Sequence, residues 1–499
     1  HNKNHPNMKN DLQAEKRTLK IYNTLSRTVE EFEPIDSDNI RIYSCGPTVY
    51  HYAHIGNLRA YVFADILQKT VKTIYPNVTH VINITDVGHL VSDSDEGEDK
   101  LEKGSKREGK SVWDIAKFYT NAFMSDLDKL NINSEDFIFP HATDFINEQI
   151  KLIKKLEEKN YTYKTSDGIY FDTSKFEDYA KLGKLDIKNL NAGERVEMGE
   201  KRNKTDFALW KFSPRNEQRQ MEWIFDGARS GKLIDDTIRE NLTNEEKESL
   251  GFPGWHIECS AMSEALLGQH FDIHTGGVDH IPVHHSNEIA QSECAHDGKK
   301  FVNYWMHVNF LKDNTGKMSK SNDDFLTLDK LISEDYSASD YRYLLLTTNY
   351  RSELTFSYES LTAAQNALNK LIKFMHEEAK DLKNIQDATN YKTNPAYYDN
   401  FLDKIYNDLN TSSALSIMWE MIGDKAEYTY STVLAMNRIL GLDLTYNIKE
   451  KTLEDLDEIE KEKVTDLISL RQQARENKDW DTADSLREEI KKYGLEVKD

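Results

Sequence analysis

Residues Ile40 to Ile84 constrain the fold more than any other stretch of this 499-residue chain. Ile40, Ile42 and Ser44 alternate with Arg41 and Tyr43, the period-two pattern of a strand. Cys45-Gly46-Pro47-Thr48 breaks that strand, Gly56 opens a turn, and Tyr61 to Leu67 is apolar at helical spacing. A second strand follows at Thr79 to Ile84. Strand, glycine-bearing loop, helix and strand begin a βαβ unit, so the expected class is α/β with a parallel sheet.

The rest of the chain adds units to this start. Ser92 to Lys110 is a dense run of mixed charge with Gly97, Gly104 and Gly109, expected to be a solvated surface loop. Trp113 to Leu130 reads as a helix. Tyr161 to Asp172, turning at Ser166-Asp167-Gly168, reads as a hairpin within an insertion. Residues 213–250 are polar and read as a loop or small excursion. From about 350 the pattern is helical, beginning with Leu361, Ala364, Leu368, Leu371 and Met375, and a bundle is expected to about 447. Two final helices carry Leu467, Leu470 and Ala474, then Ala483, Leu486 and Ile490, with Asp479 as the N-cap of the second. The expected division is 18–142 and 204–350 for the two halves of the sheet domain, 143–203 for the insertion, 351–450 for the bundle and 451–499 for a small terminal domain.

Composition narrows the class. A hydrophobic fraction of 38% and an aromatic fraction of 10% exclude a mainly disordered chain. No stretch approaches the roughly 18 apolar residues of a membrane span. His1 to Lys20 is polar, without the apolar segment of a signal peptide, and Met8 is a candidate native start. Three cysteines argue against a disulfide scaffold, so a cytoplasmic location is expected. The net charge of −22 does not favour a nucleic-acid partner, but net charge governs steering and solubility and leaves room for a local basic site.

His54-Ile55-Gly56-Asn57 lies between the first strand and the first helix, where unpaired backbone N–H groups suit a phosphate. Lys317-Met318-Ser319-Lys320-Ser321 offers two cations three residues apart, able to neutralise charge on a departing pyrophosphate; alone it reads as a basic surface loop. Cys45 ends the first strand, and Cys259 lies in Gly254-Trp255-His256-Ile257-Glu258-Cys259. His284 and Glu288 stand at i and i+4, on one face if helical. Two thiolates, an imidazole and a carboxylate make an acceptable zinc set, with His285 as an alternative to His284 that spacing leaves open. Either cysteine alone also reads as a small buried hydrophobe.

The His-Ile-Gly turn paired with Lys-Met-Ser-Lys-Ser resembles the class I aminoacyl-tRNA synthetases, with Asn57 in place of the usual histidine. Cys45-Gly46-Pro47-Thr48-Val49-Tyr50, Asn83-Ile84-Thr85-Asp86, Lys201-Arg202-Asn203, Gly276-Gly277-Val278-Asp279, His284-His285-Ser286-Asn287-Glu288 and Tyr304-Trp305-Met306-His307 sharpen this. In that order, from about residue 18 to the end, they resemble the cysteinyl-tRNA synthetase family.

The resemblance implies a Rossmann-type parallel-sheet catalytic domain with an insertion, an α-helical bundle and a small C-terminal anticodon-binding domain. It implies ATP-dependent activation of L-cysteine to cysteinyl-adenylate and transfer to tRNA(Cys). One Zn2+ per chain is implied on Cys45, Cys259, His284 and Glu288, binding the substrate sulfur, with Mg2+ accompanying ATP. Zinc prefers a thiolate to a hydroxyl, so coordination would reject serine, which shape alone discriminates by only about 10²-fold. His54, Gly56, Asn57, Asp279 and Lys320 are implied for ATP, and His54, Asn57, Lys317 and Lys320 for catalysis. Thr48, Thr85 and Trp255 would wall the amino-acid pocket, Trp255 reading equally as core packing. Arg475, Trp480, Asp484 and Arg487 would meet the anticodon, a ring for a base face and charged groups for guanine edges. The family's relatives often run past the position of Asp499, so part of that surface is expected to be missing. A monomer is expected. Two other readings are a ligase that passes cysteine to an amino sugar and a non-catalytic zinc- or RNA-binding relative. The bundle and tail argue against the first, and the two signature loops against the second.

Overall fold

The computed structural model describes residues 17–87, 100–184, 199–214, 216–313, 316–317, 326–381, 392–445 and 452–497. They form two compact units, one of residues up to 368 with 378–443, the other of 369–377 and 444–499. In the first unit, β1 (Lys20–Asn23) and β2 (Thr28–Glu31) make a hairpin ahead of β3 (Ile40–Ser44), α1 (Ile55–Lys72) and β4 (Val78–Ile82), the βαβ start read from the sequence. The charged run departs from its reading as a loop: from Lys100 it forms α2 (Lys100–Glu108), packed on α3 (Val112–Lys129). Leu101 and Ser105, four residues apart, are buried. A Cβ on Gly104 would stand 3.7 Å from the Ile115 side chain, so the helices approach closely there. Its first part, 92–99, lies outside the described residues.

After α4 (Ile146–Glu158), a four-stranded antiparallel sheet runs β5 (Thr162–Lys164), β6 (Gly168–Phe171), β7 (Phe207–Phe212) and β8 (Gly251–Pro253). The expected boundary at 203/204 falls between β6 and β7 of this sheet. Trp210, fully buried on β7, donates its indole N–H to the Ser249 carbonyl at 3.1 Å, and a Cβ on Gly251 would strike Lys211 O at 1.9 Å. Residues 213–250, read as a loop or small excursion, contain α5 (Asp236–Glu240) and α6 (Asn244–Ser249). Thr243 and Glu246 close a capping box on α6, and Arg229 grips Glu246 with two bonds of 2.7 Å.

α7 (Trp255–Leu267), β9 (Phe271–Gly277), α8 (Ser286–Ala295) and β10 (Val302–Val308) return the chain to the main sheet. Its order is β10-β9-β3-β4 and every pair is parallel. Successive strands leave β3 on one side through β4 and on the other through β9, so the topological switch lies between β3 and β9. Open α/β sheets bind ligands outside the carboxyl ends of such strands. Beyond it, β11 (Leu311–Asp313) pairs antiparallel with β12 (Gly316–Lys317). After α9 (Leu328–Ser333) and α10 (Ala338–Leu346), β13 (Leu354–Thr355) joins β11 in parallel.

Helical structure follows as expected: α11 (Tyr358–Asp381), α12 (Pro395–Ile405), α13 (Thr411–Gly423) and α14 (Thr429–Leu440). In the second unit α15 (Glu458–Glu476) and α16 (Trp480–Lys491) pack together around Leu456, Val464, Ile490 and Leu495, with Leu467 against them. Asp479 caps α16 by accepting the Thr482 N–H at 3.3 Å. Leu470, expected to face inward with Leu467 and Ala474, is 50% exposed.

Candidate functional site

Cys45 follows β3 directly, and its N–H donates to Thr275 O of β9 at 3.2 Å, which seats it at the switch point. Gly46 is required next: a Cβ there would lie 1.4 Å from the Asn83 carbonyl oxygen. Its N–H donates to Asn83 Oδ1 at 2.7 Å, and Asn83 Nδ2 donates to Thr85 Oγ1 at 2.9 Å. Thr48 and Thr85 then bridge in parallel, half-buried and buried respectively, beside Cys45.

His284 and His285 end a single π turn, Ile281–His285, that runs into α8. The wide turn lets both imidazoles reach Glu288: His284 Nε2 is 3.2 Å and His285 Nε2 3.8 Å from Oε2. Cys45 Sγ is 3.0 Å from His285 Nε2 and 4.0 Å from Glu288 Oε2. Cys259 comes in from α7. Ligand atoms of Cys45, Cys259, His284 and Glu288 all lie within 4.8 Å of one another, and so do those of Cys45, His274, His285 and Glu288. The structure thus brings the four sequence-chosen residues together and keeps His285 in the same cluster.

All of these side chains are buried. Burial pushes the Cys45 and Cys259 thiols and the Glu288 carboxyl up, and the His284 and His285 imidazoles down. Each group is thereby favoured in its neutral form. A dication would reverse that for the thiols and the carboxyl, since two thiolates, a carboxylate and a neutral imidazole match its charge and its ligand preference. The residues present fit a zinc ion.

Sequence reasoning missed the histidines behind this cluster. His274 Nε2 lies 2.8 Å from Glu288 Oε1, His256 Nδ1 2.8 Å from His284 Nδ1, and His307 Nε2 2.7 Å from His285 Nδ1. Thr24 Oγ1 holds the far nitrogen of His307 at 2.7 Å. Such partners fix ring orientation behind metal ligands. The available signal was a polar ring inside an apolar strand, Ile273-His274 on β9 and Met306-His307-Val308 on β10. Trp255, half-buried, sets its ring 4.7 Å from that of His284 and 6.0 Å from that of His280.

His54 is the N-cap of α1. Its Nδ1 accepts the Gly56 N–H at 2.9 Å, so in the neutral ring Nε2 carries the proton and is a donor. A Cβ on Gly56 would press on His54 Nδ1 at 3.1 Å. The first turn of α1 carries no acidic side chain, and Asn57 on it is exposed. Asp279 is exposed after the end of β9, where its Oδ1 approaches the backbone of Gly277. Lys317 ends β12; Lys320 and the remainder of its loop lie outside the described residues. In the second unit Trp480, 57% exposed, and Asp484 stand on α16, with Arg475 and Arg487 half-buried.

The geometry agrees with what comparison finds. A family model described as the tRNA synthetases class I (C) catalytic domain matches residues 31–235 and 237–366. One described as the cysteinyl-tRNA ligase anticodon binding domain matches 460–499. Cysteine–tRNA ligase 1 of Burkholderia lata is 46% identical over 484 residues, covering 96% of this chain and 95% of that one. Cysteine–tRNA ligase of Treponema denticola is 42% identical over 507 residues, covering 97% and 98%. Among solved structures, methionyl-tRNA synthetase of Mycobacterium tuberculosis in complex with methionyl-adenylate superposes with a TM-score of 0.54 at 14% identity, covering 81% of this chain and 88% of that one. That last likeness shows the fold. The matches across the catalytic sheet and the terminal helix pair, together with relatives at this identity over nearly the whole length, establish that the chain belongs to the cysteine–tRNA ligase family of class I tRNA synthetases.

Proposed function

We propose that this chain is a cysteine–tRNA ligase: it joins L-cysteine to the terminal adenosine of tRNA(Cys) through a cysteinyl-adenylate made from ATP. The observation that carries the reading is one loop, Cys45 to His54, with a thiol of a four-ligand cluster at one end and the N-cap of a helix at the other. It sets a site for a soft ligand atom beside a site for phosphate.

In the first step the cysteine carboxylate attacks the α-phosphate of ATP, and pyrophosphate leaves. The first-turn N–H groups of α1 are already bonded, to Leu326 O, His54 Nδ1 and His54 O, so the His54 Nε2–H and the Asn57 amide are the neutral donors for the phosphate oxygens. Asp279 takes the ribose or adenine side. Lys317 and Lys320 meet the charge that builds on the departing pyrophosphate. In the second step the ribose hydroxyl of the terminal adenosine attacks the activated carbonyl, and AMP leaves. Both steps rest on positioning and charge stabilisation.

Zinc held by Cys45, Cys259, His284 and Glu288 would supply a Lewis-acid centre that prefers a thiolate sulfur to a hydroxyl. Thr48, Thr85 and Trp255 wall the pocket around it. Magnesium accompanies ATP. Arg475, Trp480, Asp484 and Arg487 read the anticodon. A monomer acting in the cytoplasm goes with this reading; no helix among the described residues is long and apolar enough to cross a membrane.

The test is charging of purified tRNA(Cys) with labelled cysteine, with serine as the competing amino acid. Cysteine-dependent exchange of pyrophosphate into ATP without charging would point to a different acceptor, and neither activity would overturn the reading.

A further inference from the structure

The loop that joins the thiol cluster to the phosphate turn also carries Tyr52, 43% exposed, two residues before His54. Its ring meets Phe118 of α3 at 6.0 Å and Tyr119 at 5.1 Å; Phe118 meets Tyr119 at 5.1 Å, and His51 stacks on Tyr119 at 6.4 Å and 10°. Phe118 is itself 49% exposed. Exposed rings clustered together mark a surface that another molecule covers. One cation, Lys110, lies on them, and Glu108, bonded to Tyr119, is paired with Arg107 at 3.2 Å. From Lys103 to Phe118 the sequence has five basic residues and two acidic ones, and Lys103, Lys106, Arg107, Lys110 and Lys117 are all exposed. Lys110 Nζ lies 5.5 Å above the Phe118 ring. Nearby Glu102 is engaged, accepting the Gln220 N–H at 2.8 Å.

Rings that accept base faces, rimmed by cations that accept phosphates, are the means by which proteins hold single-stranded nucleic acid. We propose that Tyr52 and Phe118, with Lys110 and Lys117, form a docking surface for the unpaired 3′ end of the tRNA on its way to the adenylate. The proposal rests on the ligase reading above. The occupant is single-stranded RNA and not a duplex: a duplex hides its base faces, and this surface offers rings to stack on. Five acidic residues occur in 93–99 of the sequence, so net charge alone is a poor guide here and the test is built on the rings.

The test compares intact tRNA with the same tRNA trimmed of its unpaired 3′ nucleotides, measuring equilibrium binding to the full chain. Phe118→Ala should weaken binding of intact tRNA by about 5- to 150-fold, the range for one lost base stack. Phe118→Trp should restore it, and the loss should vanish with trimmed tRNA. Cysteine-dependent pyrophosphate exchange, which needs no RNA, should be unchanged and reports that the variant is folded. Lys110→Gln should flatten the salt dependence of intact-tRNA binding by about 0.7 in slope, the value for one single-strand phosphate contact. An equal loss with trimmed and intact tRNA, or no loss in Phe118→Ala, overturns the proposal. Absence of charging by the unaltered chain would instead count against the ligase reading, while the binding comparison still decides the surface.

Discussion

Arg59→Lys should disable adenylate formation without touching any group that meets substrate. Arg59 sits on the second turn of α1, 3% exposed. Its guanidinium donates to Asn309 O at 2.9 Å and Phe310 O at 3.1 Å just before β11, and to Asn349 O at 3.1 Å and Ser352 O at 2.8 Å before β13. Burial lowers it to about 10, so it stays charged at neutral pH. β11 pairs with β12, which ends on Lys317, so one side chain fastens the phosphate helix to the stem of the lysine loop. The far end of that loop is tied as well: Ile55 N–H donates to Leu326 O at 2.9 Å, and Tyr341 Oη donates to Ile55 O at 2.6 Å. A lysine keeps the charge but loses the planar fork and cannot span both pairs of carbonyls. At about 1.5–3 kcal/mol for each charge-assisted bond, losing two costs about 3–6 kcal/mol of anchoring. A displacement of about 1 Å at a reacting group is worth about 10²-fold in rate, so exchange of pyrophosphate into ATP should fall by about that factor. Cysteine affinity should be unmoved. The decisive assay is a double-mutant cycle with Lys320→Ala, which alone should cost about 10²–10³ in exchange rate. If Arg59 acts through the loop, Arg59→Lys costs little once Lys320 is gone. Additive losses, or a fall in cysteine affinity, would refute the reasoning.

Three further outcomes follow from other parts of the molecule. Cys259→Ser should lower zinc content, read by elemental analysis of the purified chain, and remove cysteine binding while ATP binding persists; full zinc content in this variant would remove Cys259 from the ligand set. Trp480→Ala should weaken tRNA binding by about 1–3 kcal/mol with pyrophosphate exchange unaffected, and unchanged binding would mean that no base stacks on that ring. Gly46→Ala forces a methyl to within 1.4 Å of the Asn83 carbonyl, so the loop must move; cysteine affinity and zinc content should fall together, and retention of both would show that the loop tolerates displacement.

What the sequence made legible was the part built from neighbours in the chain. The strand from Ile40, its break at Cys45 and the turn at His54 all lie within fifteen residues, and local pattern reads them. Convergence of segments far apart is another matter. His256, His274 and His307 come from a helix and two strands, and only the order β10-β9-β3-β4 stacks them behind the cluster. The choice between His284 and His285 was open because three- and four-residue spacings both reach Glu288 from a helix. The π turn makes it closer still, since both imidazoles remain within reach of Oε2. Helix α2 was missed for a different reason. Its charges fill the exposed side and leave Leu101, Gly104 and Ser105 on the buried one, too short a run to stand out against lysines and glutamates.

The net charge of −22 was the weakest guide of all, and the site explains why. Fields of exposed charges fade over about 8–10 Å at physiological salt, so what a phosphate meets is set by the first few residues around it. At the start of α1 those residues are the neutral side chains of His54 and Asn57, with no carboxylate in the first turn. The acidic side chains nearest the thiol cluster are handled differently. Glu288 is buried among the ligands, where burial favours its protonated form, and it would gain its charge only together with a bound cation. A chain can therefore be strongly anionic as a whole and still receive a triphosphate and an RNA end, provided its carboxylates are kept out of one helical turn or matched to a metal.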